Sequence, residues 1–93
     1  MRLDRFRRMD TNKNREVGSC LRALREERGL TQEELAHKLG KGQPFVCKLE
    51  LGERSLHVLD TFDFCRAFEM KMDEFMLQIF VHTGRPDDEG EFF

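Results

Sequence analysis

Apolar residues along this chain recur three and four positions apart, the spacing that places them on one face of a helix. Leu21 and Leu24, Leu35 and Leu39, and Val46 and Leu49 each follow it. Further on, Val58, Phe62, Cys65 and Phe68 make one stripe, and Met72, Phe75, Met76, Ile79 and Phe80 make another. The pattern predicts an all-α fold with five helices, over residues 16–28, 32–39, 43–51, about 58–68 and about 72–82. Before the first of these, Leu3, Phe6 and Met9 trace a weaker stripe, and the run Asp10-Thr11-Asn12-Lys13-Asn14 reads as a break.

Residues 29–54 carry the sharpest local signals. Thr31 suits an N-cap, and Glu34 three residues later completes the spacing of a capping box. Glu33 and Glu34 also place carboxylates where the helix dipole favours them. Ala36 beside Leu35 and Leu39 lets a second helix cross closely. Gly40 then turns the chain, and Gly52 ends the following helix in the same manner. That following helix directs Phe45, Val46 and Leu49 inward and leaves Gln43, Cys47 and Lys48 pointing elsewhere. Two short helices about a tight turn form the unit that many proteins use to place one helix in the major groove of DNA.

Gly29-Leu30-Thr31-Gln32-Glu33-Glu34-Leu35-Ala36 and Lys48-Leu49-Glu50-x-Gly52-x-Arg54-Ser55 resemble the two most recognisable blocks of the Cro-like and phage-repressor helix-turn-helix family, also called the xenobiotic-response-element family of bacterial regulators. The similarity runs without gaps from about Val17 to Met76. It implies a five-helix repressor-like domain over residues 16–82, acting as a sequence-specific transcriptional regulator: a homodimeric repressor whose third helix reads a palindromic operator. Two other readings stay open: an antitoxin that binds a partner toxin and represses its own operon, and a helix-turn-helix interaction module without DNA binding.

The resemblance also assigns site residues. Gln43 stands where relatives present a glutamine to a base, and such an amide can pair bidentately with adenine; the bland alternative is a first-turn capping role. Lys48 faces guanine or a phosphate, Phe45 a thymine methyl or the core, and Cys47 is a groove contact or a small filler. Gln32, Lys41, Arg54 and Arg22 are the expected phosphate contacts. Arg25 and Glu50 match a family ion pair bracing the first helix against the third. Lys41, Gly42 and Pro44 depart from the family pattern. Pro44 disfavours helical geometry at Gln43, so Gln43 itself could cap a helix that starts one residue late.

Composition adds limits. The chain has 93 residues, nine Phe and no Trp or Tyr, enough for one small core. Three cysteines without framework spacing fit a reducing cytosol rather than a disulfide scaffold, and the resemblance implies the bacterial cytoplasm with its nucleoid. No cofactor or metal set, catalytic constellation, membrane span or secretory signal is visible, so the chain reads as neither an enzyme nor a membrane protein. The net charge of −2 is unusual for a DNA binder, but residues 1–55 hold 13 Lys/Arg against 9 Asp/Glu, and residues 56–93 hold 3 against 9. The basic excess therefore lies in the half expected to face phosphate. Arg2, Arg5, Arg7 and Arg8 make residues 1–15 either a basic arm or an extra helix. Residues 83–93 read as an acidic, disordered tail. The run 75–81 is more apolar than a surface helix needs and favours a dimer interface formed by Phe75, Met76, Ile79 and Phe80 over completion of the core.

Overall fold

The computed structural model describes residues 2–84, with side chains described from residue 13 onward. The expected acidic tail lies outside the described residues save for positions 83 and 84, and the side chains of Arg2, Arg5, Arg7 and Arg8 in the expected basic arm also lie outside them. Five helices follow one another: α1 (Arg2–Glu27), α2 (Gln32–Leu39), α3 (Gln43–Leu51), α4 (Val58–Phe68) and α5 (Met72–Thr83).

α1 corrects the expected break at residues 10–14, because the helix continues through it. Asp, Thr and Asn each weaken a helix by only some tenths of a kcal/mol, and the run holds neither glycine nor proline. Tertiary contacts support it at Lys13, whose Nζ donates to the Thr83 carbonyl (2.6 Å), and at Asn14, whose Nδ2 donates to Ser55 Oγ (3.1 Å).

α2 begins at a complete capping box. Thr31 Oγ1 accepts the Glu34 N–H at 3.0 Å, and Glu34 Oε1 accepts the Thr31 N–H at 2.9 Å. It ends at Gly40, whose φ of 71° is left-handed. There the Lys41 N–H reaches back to the Ala36 carbonyl at 2.9 Å, which closes the turn between α2 and α3. α3 starts at Gln43 after an extended Gly42 (φ −91°, ψ 161°), with Pro44 in its first turn. Gln43 is thus the first helical residue and not the cap, since proline is tolerated where no intrahelical N–H bond exists to be lost.

The core joins all five helices. Cys20, Leu21 and Leu24 of α1 meet Leu35, Ala36 and Leu39 of α2, and Val46 and Leu49 of α3. Phe64, Cys65 and Phe68 of α4 and Phe75 of α5 close it. Phe64 stacks on Phe75 with ring centroids 6.3 Å apart and meets Phe68 at 5.6 Å. α1 and α3 cross so closely at Gly18 that an added Cβ would overlap the Leu49 carbonyl and come within 2.5 Å of the Glu50 carbonyl oxygen.

Two expectations change here. Phe75 is 0% exposed, so it has no surface to offer a partner and is removed from the expected dimer face. The buried stripe of α4 is Thr61, Phe64, Cys65 and Phe68, while Val58 (73% exposed) and Phe62 face outward. α4 is apolar on more than one side, and the Phe64–Phe75 stack selects which side turns in.

Candidate DNA-reading surface

The close α1–α3 crossing carries a chain of four polar side chains. Arg25 donates to both oxygens of Glu50, from Nε at 2.6 Å and from NH2 at 3.1 Å, and from NH1 to the Leu30 carbonyl at 2.7 Å. Both side chains are shielded, at 10% and 4% exposure. The hydrogen bond to Glu50 outweighs burial and raises the guanidinium's already high pKa, which keeps it charged. Gln32 Nε2 donates to Glu50 Oε1 at 2.8 Å, and Gln43 Nε2 donates to Gln32 Oε1 at 2.6 Å.

The polarity of this relay is dictated at one end. An ionised carboxylate only accepts, so Gln32 must turn its NH2 toward Glu50 and its oxygen toward Gln43. Gln43 must then present its own NH2 to Gln32. That leaves Gln43 Oε1 and one Gln43 N–H at the start of α3, an acceptor and a donor side by side. Adenine N6 and N7 require that pair of groups from an amide.

The other site residues fall into separate groups. Lys41 Nζ lies 5.2 Å from the centroid of the Phe45 ring, and Arg54 Cζ lies 4.8 Å from it. Phe45 is itself only half-buried and packs against the core. Lys48 is exposed, and Cys47 is a partly exposed free thiol. Arg22 is tied along its own helix to Glu26 at 3.1 Å. Met76 and Phe80 are exposed on α5 and Ile79 is partly buried, with Leu77 and Val81 exposed beside them. α3 itself has no side-chain cap and no acidic residue in its first turn, so nothing on that turn offsets the positive end of its dipole.

The sequence reading gives Gln32 as a phosphate contact and Gln43 as a base contact, each alone, and Glu50 only as the partner of Arg25; their linkage, and Phe45 as a platform for two cations, come from the fold. Cys20, which the motif leaves without a role, is buried in the core at 1% exposure. Among the described residues no cluster of three or more His, Cys, Asp or Glu side chains is placed to hold a metal, and no helix is long and apolar enough to cross a membrane.

Five helices, a glycine-closed turn between α2 and α3, and a buried brace behind α3 define a helix-turn-helix regulator. The helix-turn-helix family model HTH_3 matches residues 21–75, and the chain belongs to this Cro/C1-type family of DNA-binding transcription regulators, which is not an enzyme family. It is 39% identical over 51 residues to the uncharacterized HTH-type transcriptional regulator y4dJ of Sinorhizobium fredii (strain NBRC 101917 / NGR234). That match covers 55% of this chain and 66% of the relative, just under two thirds of its length.

Among solved structures, the restriction-modification controller protein C.AhdI from Aeromonas hydrophila is similar at 28% identity and a TM-score of 0.65, over 70% of this chain and 94% of that one. The clp gene regulator ClgR from C. glutamicum shares the fold at 21% identity and a TM-score of 0.65, over 72% and 87% of the two chains.

Proposed function

We propose that this protein is a homodimeric repressor that places α3 in the major groove of a palindromic operator and so excludes polymerase from a promoter. The observation that carries the reading is the Arg25–Glu50–Gln32–Gln43 relay, because it leaves Gln43 with the donor–acceptor pair that reads adenine. Lys48 adds a groove or phosphate contact one to two turns along, and Gln32 keeps one N–H for a phosphate. Dimerisation through Met76, Ile79 and Phe80, joined by Leu77 and Val81, would set two copies of α3 about one DNA turn (~34 Å) apart.

Fluorescence anisotropy with a duplex from just upstream of the protein's own gene tests this against a scrambled duplex. Tight binding to the first alone, lost in Gln43→Ala/Lys48→Ala and weakened when 7-deazaadenine replaces the adenines, supports it. Equal, weak binding to both duplexes removes the autoregulatory operator from the proposal.

A second reading has an observation of its own. Val58, Leu59 and Phe62 are exposed on α4 in addition to the α5 residues, which suits a partner protein such as a toxin. A monomer at micromolar concentration that co-purifies with such a partner favours it.

A further inference from the structure

Cations near α3 divide into two kinds. Three arginines at the C-terminal end of α1 and just beyond it are paired with the chain's own glutamates: Arg22 with Glu26 at 3.1 Å, Arg25 with Glu50 at 2.6 Å, and Arg28 with Glu27 at 3.7 Å. Lys41 and Arg54 have no carboxylate partner among the described residues; what gathers them is the Phe45 ring. They come from opposite ends of α3, Lys41 from the turn before it and Arg54 from the loop after it. A nine-residue helix is about 13 Å long, yet with charge-to-centroid distances of 5.2 and 4.8 Å the two cations lie within 10 Å of each other.

We infer that Lys41, Phe45 and Arg54 form a clamp for DNA backbone phosphate in which Phe45 is a positioning residue and not a base reader. This rests on the DNA-binding reading above and specifies one part of it. A ring face attracts a cation electrostatically without neutralising it. The guanidinium can lie against the ring and still direct its edge N–H groups outward, and the ammonium keeps its rotatable donors. A carboxylate in place of the ring would hold the same two cations but cancel the charge that phosphate requires. The inner part of Phe45 packs against the core, which fixes the ring to the helix that enters the groove. The two long side chains thus meet the backbone with less conformational freedom left to lose.

A phosphate clamp and a base reader differ in their salt dependence, because each phosphate contact contributes about 0.9 to the slope of log K against log salt and carries no sequence information. The test measures binding of Phe45→Leu, Phe45→Tyr, Lys41→Ala/Arg54→Ala and the triple variant Lys41→Ala/Phe45→Leu/Arg54→Ala. Both the upstream and the scrambled duplex are titrated between about 50 and 200 mM salt, with thermal unfolding recorded alongside.

Phe45→Leu is expected to lower affinity for both duplexes by one common factor, about three- to tenfold, and to flatten the slope by about one to two. Phe45→Tyr keeps the ring face and should retain the wild-type slope whatever the stability of the leucine variant. In the Lys41→Ala/Arg54→Ala background, Phe45→Leu should change binding no further. An unchanged slope with reduced preference for the upstream duplex would make Phe45 a base reader and overturn the clamp. An equal loss with and without the two cations would also overturn it, reducing Phe45 to packing. A wild-type protein that binds neither duplex at low salt overturns the DNA-binding reading itself, an outcome distinct from either of these.

Discussion

Cutting the relay at its buried end separates stability from base reading. Arg25→Ala removes two charge-assisted bonds to Glu50 and one to the Leu30 carbonyl, and leaves a carboxylate at 4% exposure with Gln32 as its remaining partner. Removing one member of a shielded ion pair costs about 3–5 kcal/mol, a large share of the roughly 5–15 kcal/mol that holds a domain together. At roughly 4–8 °C per kcal/mol for a domain of this size, the melting temperature should fall by about 12–40 °C. Glu50→Ala should cost somewhat less, because the guanidinium keeps the Leu30 carbonyl and Glu26 at 4.0 Å while one Gln32 N–H loses its partner. The double alanine variant should cost less than the two singles together, since the stranded charge is then gone.

Arg25→Met/Glu50→Leu is the decisive comparison. An apolar pair of similar volume is often neutral or stabilising by about 1–4 kcal/mol, yet no carboxylate remains to orient Gln32. Both glutamine amides can then turn either way, and the preference for adenine at the Gln43 contact should relax while urea stability is retained. Urea denaturation and operator binding with single-base substitutions read the two effects separately. Strictly additive single variants, or an apolar pair that keeps full base preference, would refute the reasoning.

Other consequences are simpler. Burial, with a smaller contribution from Glu27, pushes the Cys20 thiol from 9.0 up to about 11. The folded state therefore keeps a proton that the unfolded chain loses above about pH 9, so stability is full below that pH and falls as pH rises from about 9 to 11, by about 2 kcal/mol; Cys20→Ala should lose this part of the alkaline dependence in urea melts. Gly18→Ala must push α1 away from α3 and should cost at least about 1–3 kcal/mol, whereas Gly42→Ser at the open N-cap of α3 should gain a few tenths of a kcal/mol in thermal unfolding. Phe80→Glu should shift sedimentation toward monomer and weaken operator binding with little change in the monomer's helicity, and a variant that stays dimeric would move the interface away from α5.

What could be read from the chain follows the range of the forces involved. α2, α3 and α4 lie over the expected ranges because their ends are decided locally, by the Thr31–Glu34 box, the left-handed glycines at 40 and 52, and the extended residue before each helix. The start of α1 was illegible, since contacts to Thr83 and Ser55, 70 and 41 positions away, support a run with weak helix propensity. The inward face of α4 was ambiguous for a related reason. Its apolar residues satisfy the helical period in two registers, and Phe75 on another helix decides between them. The site residues were legible one at a time from their positions in the motif. The bonds among them were not, because Gln32 and Glu50 are 18 residues apart and Arg25 and Glu50 are 25 apart.

The same distinction resolves the charge of this protein. A count over half the chain suggested a basic side, but four of those arginines lie at positions 2–8, and Arg22, Arg25 and Arg28, around the C-terminal end of α1, are matched to glutamates. Charge that is paired internally contributes little to a field outside the domain, since each pair presents a short dipole that salt screens within about 10 Å. Lys41, Lys48 and Arg54 have no acidic partner among the described residues, and all three sit on or beside α3, whose first turn carries no acid. A net charge of −2 is therefore compatible with a locally positive surface around α3. What matters for phosphate is which cations the fold leaves unpaired, and that selection is made by Glu26 and Glu27 on α1 and by Glu50 of α3 packed against it rather than by the number of basic residues.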